Sequence, residues 1–235
     1  MELSELKNRI CKSFDGSTED LTRVLEMVDD DQSIFPFNEY EHLICNLIEL
    51  GGMTYVQYME IRSEYIRANP NLWIFEMSSP RGFGEGFAQT YVNGMCAQIS
   101  KPSKEIDPTF SNEYDLCLDS IKIEVKASRA VDSESKEPLY IKALSRNTDK
   151  QFLMNFQQLK PQYCDIFIWV AVFRDQIVIW VLSSKEVASH QLFSGGQHRG
   201  NEGQLHIKHD NIHMFDKFEL KNGDLGAAIR LAAMR

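Results

Sequence analysis

The stretch Glu113-Tyr-Asp-Leu-Cys-Leu-Asp-Ser-Ile-Lys-Ile-Glu-Val-Lys-Ala-Ser128 reads as two short β-strands that fold back on each other at Asp119-Ser120. Side chains alternate between the two faces of a strand. A two-residue turn therefore places Asp115 opposite Glu124, with Lys126 on the same face. The other face collects apolar side chains, which are Leu116, Leu118, Ile121, Ile123 and Val125. The stretch predicts an amphipathic hairpin with one face in the core.

The polar face of this hairpin predicts a site for a divalent cation. Directly opposed residues have Cβ atoms about 4.5–5.5 Å apart, so two carboxylates there repel each other unless a cation lies between them. Hard divalent ions take oxygen ligands of this kind from proteins. The alternative is an edge hairpin whose outer face is simply charged.

The pattern resembles that of the PD-(D/E)xK nuclease superfamily, which has an acidic residue on one strand and Glu-x-Lys on the next. Here it stands as Asp115 followed by Glu124-Val125-Lys126, with Tyr114 where a proline often precedes the first acid. The resemblance implies an α/β (α+β-like) fold, in which a mixed central β-sheet is flanked by helices on both faces as in restriction endonucleases. It also implies Mg²⁺-dependent DNA cleavage that leaves 5′-phosphate and 3′-hydroxyl ends, with Asp115, Glu124 and Lys126 as catalytic residues.

The resemblance further implies how one or two Mg²⁺ ions would be held. Asp115 and Glu124 are the expected metal ligands, assisted by the main-chain carbonyl of Val125. Nucleases of this superfamily commonly add an acidic residue from the helix before the hairpin. Glu85 is the expected residue, with Glu76 as its substitute; the plain alternative is that Glu85 stabilises the first turn of a helix.

The compact chain, its extra helical lobe and its polar C-terminal loop look most like a Type II restriction endonuclease. Such an enzyme would cut double-stranded DNA at a specific sequence, normally as a homodimer. Two alternatives remain open at this point: a structure-selective repair or recombination nuclease of the same superfamily, and a non-catalytic DNA-binding protein on this fold. No phosphate-binding loop of the nucleotide-binding kind is present, so no nucleotide cofactor is expected.

The charge distribution bears on a nucleic-acid partner. The chain has 235 residues and a net charge of −9. Residues 1–68 carry a net charge of −8 and residues 69–235 only −1, while residues 122–160 are locally +3. Because phosphate contacts dominate nucleic-acid affinity, the C-terminal part is the expected DNA-binding part, with salt-sensitive binding.

The expected location is the cytoplasm. The first residues lack a basic segment followed by an apolar run, and the longest apolar stretch, residues 166–173, has the length of a strand, so no membrane association is expected. The five cysteines are scattered without a C-x-x-C pair, which favours reduced thiols over disulfides or a cysteine zinc site.

Apolar spacing divides the chain into two domains, a helical lobe over residues 1–68 and a nuclease core over residues 69–235. The lobe is expected to hold four helices, at residues 3–14, 21–28, 38–50 and 54–68. The last two form an αα-hairpin, with a helix-turn-helix as the alternative. The core order is expected to be a helix at residues 85–99, the hairpin, a helix at residues 150–160, two buried antiparallel strands at residues 163–173 and 177–182, and a final helix at residues 225–235.

Basic and amide side chains around these elements are the expected DNA contacts. The glycine-rich loop after Ser79 suits phosphate, and the polar loop near the C-terminus suits base edges. The predicted DNA-binding residues are Arg81, Arg129, Lys136, Arg146, Lys150, Gln197, His198, Arg199, Asn201 and Gln204. A zinc site formed by His206, His209 and His213 is a further alternative.

Overall fold

The computed structural model describes residues 36–197, 202–221 and 223–235, together with Glu5, Arg9 and Lys12. The α-helices are α1 (Pro36–Glu49), α2 (Tyr55–Ala68), α3 (Thr90–Met95), α4 (Ser184–Ala188) and α5 (Leu225–Ala233). A π-helix (Gly82–Gln89) leads into α3, and two 3₁₀-helices cover Leu72–Glu76 and Ile212–Phe218. The strands are β1 (Leu116–Leu118), β2 (Ile121–Arg129), β3 (Val131–Asp132), β4 (Phe152–Leu159), β5 (Ile166–Val172), β6 (Ile177–Ser183), β7 (Phe193–Gln197) and β8 (Glu202–Lys208).

The first sheet has the strand order β1-β2-β5-β6 and is mixed. β1 and β2 form the predicted antiparallel hairpin, in which Leu118 pairs with Ile121 and Leu116 pairs with Ile123. The turn is confirmed as Asp119-Ser120, and Asp119 adopts the left-handed backbone (φ 57°) that aspartate tolerates in tight turns. β2 runs parallel to β5, and β5 pairs antiparallel with β6 as predicted.

The second sheet has the order β3-β4-β8-β7 and is antiparallel throughout. It packs on the first sheet through a buried aromatic cluster. The Phe156 ring of β4 stacks on the Trp169 ring of β5 with centroids 4.7 Å apart. All seven residues of β5 are buried, because the second sheet covers one of its faces and helices cover the other.

The fold is therefore mixed α and β, with layers of helices, first sheet and second sheet. The expectation that helices cover both faces of a central sheet holds in part, because a second sheet shares one of these faces with short helices. The helical layer includes the π-helix and α5, whose Phe87 and Ile229 share a core with Ile168 of β5. The opposite layer is the second sheet together with α4 and the second 3₁₀-helix, whose Val187 and Phe215 join the same core.

The predicted helix at residues 150–160 was also wrong, since this segment is β4. Its burial alternates, with Phe152, Met154 and Phe156 buried and Leu153 and Asn155 partly exposed. The spacing of Phe152, Leu153, Phe156 and Leu159 suggested a helix, but Leu153 lies on the outer face. The segment instead follows the two-residue period of a strand, in which Met154 also faces the core.

The N-terminal helices are partly described. Glu5, Arg9 and Lys12 are helical, and the helix predicted at residues 21–28 lies outside the described residues. α1 and α2 match the predicted αα-hairpin, and a capping box between Thr54 and Gln57 begins α2. Side chains of both helices join the core beneath the first sheet. No helix in the described part of the chain is long and apolar enough to cross a membrane.

The helix before the hairpin begins earlier and ends earlier than residues 85–99. Helical backbone runs from Pro80 to Met95, and its middle is the π-helix. Glu85 consequently lies within the π-helix. π-Helical turns are rare and are often found at functional sites.

Candidate active site

The hairpin brings the three predicted catalytic residues together. The Lys126 ammonium lies 2.7 Å from Oε1 of Glu124, and the carboxyl groups of Glu124 and Asp115 interact directly with each other. Asp115 precedes β1, and its N–H donates to the carbonyl of Ile123 at 3.0 Å. The geometric prediction that the two carboxylates and the lysine share one face of the hairpin is therefore met.

Two hydrogen bonds fix the carboxylate of Asp115. The side-chain amide of Gln89 donates to Oδ1 at 2.8 Å, and the main-chain N–H of Val125 donates to Oδ2 at 2.9 Å. Gln89 is the last residue of the π-helix, which packs against β2. Sequence reasoning missed Gln89, because the helical register that aims it at Asp115 includes the π-helical turn.

Burial makes the carboxylate pair hold its proton tightly. The Glu124 side chain is 15% exposed. Loss of solvation is the main reason that the pKa of Glu124 is raised to about 7; Lys126 opposes the rise and the neighbouring Asp115 adds to it. Loss of solvation also raises the pKa of Asp115, against the effect of the Val125 N–H. Two carboxyl groups forced together in a partly dry site form a pair that a divalent cation would stabilise in its ionised form.

Asp115 and Lys126 line a cleft of about 680 Å³ between the π-helix, β2 and β4, and Glu124 lies behind them in contact with both. Arg81 and Lys126 supply positive charge to this cleft, and the Arg81 side chain is 83% exposed. Amide and hydroxyl side chains make up much of the remaining polar wall. They are Gln89, Ser128, Asn155, Gln157 and Gln158.

Glu85 lines the same cleft as Asp115, and its charge adds to the rise in the pKa of Asp115. Its side chain is 59% exposed and forms an ion pair with Arg81 at 3.3 Å. Within the described parts of the chain, no three acidic, histidine or cysteine side chains form a cluster able to hold a metal. Glu76, the substitute ligand, does not line the cleft; burial raises its pKa to about 7.

The residues nevertheless suit Mg²⁺. Proteins usually bind this ion through one or two carboxylates, and waters and substrate phosphates complete its coordination. Asp115 and Glu124 provide two carboxylates in contact, and burial raises both pKa values although the one positive charge of Lys126 opposes the rise. Val125, predicted to offer its carbonyl, lies between Glu124 and Lys126 and lines the cleft.

Arg129 lines the cleft but is held by the protein itself. Its guanidinium donates to the carbonyls of Ile74 at 3.1 Å and Met77 at 2.8 Å, and lies 4.1 Å from the centre of the Phe83 ring. Burial lowers its pKa from the usual arginine value. These contacts make Arg129 a link between β2 and the first 3₁₀-helix.

The other predicted DNA contacts are dispersed. Lys136 is exposed, while Arg146 pairs with Glu219 at 3.1 Å and Lys150 pairs with Asp132 at 3.3 Å. None of these three basic residues lines the cleft.

The predicted base-reading loop is largely outside the described residues. His198, Arg199 and Asn201 fall there, and Gln197 is the last residue of β7. Gln204 lies in β8, partly exposed and paired with Ser194 of β7. His206, His209 and His213 do not meet as a metal site in the described part of the chain.

Comparison with known protein families and with curated proteins found no match to this chain.

Proposed function

We propose that this protein is a Mg²⁺-dependent endonuclease that cuts double-stranded DNA. The observation that carries the proposal is the contact of Asp115 with Glu124, and of Glu124 with Lys126 at 2.7 Å, at an open cleft that Asp115, Lys126 and the exposed Arg81 line. A charged face of a structural hairpin would keep like-charged carboxyl groups apart in solvent. Here both carboxyl groups are buried, and the loss of solvation raises the pKa of each, which disfavours their ionised forms.

Each residue has a distinct role in this proposal. Asp115 and Glu124 hold Mg²⁺, and the hydrogen bonds from Gln89 and Val125 fix the orientation of Asp115. The chemistry supplied by a bound Mg²⁺ is activation of water and neutralisation of the charge that builds on the phosphodiester. Lys126 orients the attacking water and balances charge on the phosphate. Arg81 holds a neighbouring phosphate.

The proposed biological class is a Type II restriction endonuclease. The cleft is open on the side of Arg81 and of the exposed Gln157 and Gln158, so a duplex can reach the carboxylates without entering a tunnel. One active site cuts one strand, so cutting both strands at a palindromic site requires a homodimer.

Digestion of a fully sequenced phage genome with the wild-type protein and Mg²⁺ tests this proposal. We expect discrete fragments whose mapped ends share one sequence and which religate without kinase treatment, because their 5′ ends carry phosphate. Cleavage confined to junctions, flaps or ends would indicate a structure-selective repair nuclease and not a sequence-specific restriction endonuclease. Absence of Mg²⁺-dependent cutting on any DNA would overturn the nuclease assignment.

A further inference from the structure

The outer face of the second sheet is rich in amide side chains where it borders the cleft. Along β4, Phe152, Met154 and Phe156 face the core, so Asn155 and Gln157 face outward. On β8, Leu205 and Ile207 face the core, and Gln204 and His206 face outward. Asn155 pairs directly with His206 across the two strands. The outward residues next to the cleft can both donate and accept hydrogen bonds, and none of them is acidic.

A β-bulge presents two consecutive glutamines at the end of this face. Phe156 pairs with Leu205 and Leu159 pairs with Gly203, so Gln157 and Gln158 together oppose the single residue between those partners. Gln158 has a φ of 55°, a left-handed backbone that is unfavourable for glutamine. Bulges next to active sites commonly redirect side chains, and strained backbone concentrates at functional positions.

The amide side chains on this bulge form no hydrogen bonds within the described part of the chain. Gln157 and Gln158 are exposed, and neither side chain is hydrogen-bonded to the described residues. Oδ1 of Asn155 is fully buried and accepts no hydrogen bond within the described part of the chain. A buried carbonyl oxygen without a donor is costly unless a ligand supplies one.

The three amides line the same cleft as Asp115 and Lys126. A strand of DNA whose phosphate reaches the carboxylate pair therefore brings its neighbouring bases to β4. The main-chain N–H of Asn155 donates to Oγ of Ser128 at 2.9 Å, which ties β4 to the β2 strand that carries Glu124 and Lys126. The distance between the cutting residues and the amides is thus fixed by the fold.

We propose that Asn155, Gln157 and Gln158 read the bases next to the cut phosphate and that they select adenine. This inference rests on the proposed function. An amide pairs with adenine by accepting from N6 and donating to N7, whereas guanine is read mainly by arginine or lysine and cytosine by a carboxylate. Glu85 and Arg81 also line the cleft but belong to the helical segment before α3, whereas β4 offers only amides as base-reading groups, which matches adenine. The inference places base recognition on β4, in addition to the polar loop around residues 197–204.

The test is selection of bound sequences from a randomised duplex pool, using full-length protein with Lys126→Ala to prevent cutting. We expect bound sequences to share a motif containing adenine. Adding Gln157→Ala and Gln158→Gly should abolish the preference at one or two adjacent positions and weaken binding to the motif roughly 5- to 150-fold, while other positions keep their preference. Glycine suits the left-handed backbone at position 158, so the bulge is retained.

A matched control is Gln176→Ala in the same Lys126→Ala background, because Gln176 is an exposed glutamine in the turn between β5 and β6, outside the cleft. It should leave the selected motif unchanged. A motif that survives the two β4 substitutions intact overturns base reading by β4 while the nuclease proposal stands. Failure of the Lys126→Ala protein to bind duplex DNA, with no cutting by the wild-type protein, overturns both.

Discussion

Replacing Glu124 by glutamine should stabilise the metal-free protein at alkaline pH and destroy its response to Mg²⁺. The folded protein raises the pKa of this carboxyl to about 7 from the usual 4.5, mainly by removing it from solvent. Because the folded state binds the proton more tightly, the destabilisation is absent below pH 4.5, grows between pH 4.5 and 7, and is complete above pH 7. Each unit of pKa shift corresponds to about 1.4 kcal/mol, so the full effect is about 3 kcal/mol at pH 8.

The pKa of about 7 already includes the attraction of Lys126 for ionised Glu124; the NH₂ end of the glutamine amide next to the Lys126 ammonium offsets part of the gain. We therefore expect Glu124→Gln to raise the free energy of unfolding by about 1 to 3 kcal/mol at pH 8 in EDTA, and to change it little at pH 4.5. Mg²⁺ should reduce this difference in the free energy of unfolding between the two proteins. At a concentration ten times its dissociation constant, a bound ligand adds about 1.4 kcal/mol, and only the wild-type protein should gain this.

Urea unfolding at both pH values, with EDTA or Mg²⁺, measures these differences. Glu105→Gln is the matched control, since Glu105 is an exposed carboxylate in a loop outside the cleft. It should show neither the pH-dependent gain nor the loss of Mg²⁺ response. The reasoning fails if Glu124→Gln is no more stable than the wild-type protein at pH 8, or if Mg²⁺ stabilises both proteins equally.

Three further perturbations follow from the same structure. Gln89→Leu removes the hydrogen bond to Asp115, and a Mg²⁺ titration of DNA cleavage should show apparent metal affinity reduced about 10- to 100-fold. Glu76→Gln should raise the unfolding free energy by about 1 to 2 kcal/mol at pH 8 and not below pH 4.5, measured by urea unfolding. Burial raises the Glu76 pKa to about 7 and partial solvation reduces the effect; Mg²⁺ should not alter it. Gln158→Gly removes the strain of a left-handed backbone, so thermal unfolding should show a free energy of unfolding about 1 kcal/mol higher than that of the wild-type protein. A lower free energy of unfolding would show that the glutamine side chain supports the bulge.

The hairpin was predictable because its information is local. The polar pair Asp119-Ser120, between two runs of alternating polar and apolar residues, specifies the turn. Once the turn has two residues, every cross-strand pair of the hairpin follows, beginning with Leu118 and Ile121. The convergence of Asp115, Glu124 and Lys126 then follows from the alternation of side chains alone. The same local information predicted β5 and β6, whose apolar runs are separated by a short polar turn.

The second sheet was not predictable from such local patterns. β4 carries apolar residues at both helical and strand spacing, and what selects the strand is its pairing with β8, about fifty residues later in the chain. Residues that depend on this pairing, including Asn155 and the Gln157–Gln158 bulge, were therefore missed as parts of the cleft. Gln89 was missed for a related reason, since its direction depends on the π-helix.

The most direct test of the central claim is cleavage of supercoiled plasmid DNA in Mg²⁺ by the wild-type protein and by Lys126→Gln. Glutamine keeps a hydrogen bond to Glu124 but cannot balance charge on the phosphate. Lys104→Gln, at an exposed lysine in a loop outside the cleft, is the matched control. We expect the wild-type and Lys104→Gln proteins to cut at equal rates and Lys126→Gln to cut at least about 100-fold more slowly while still unfolding cooperatively on heating. Undiminished cutting by Lys126→Gln would contradict the assignment of this hairpin as the active site.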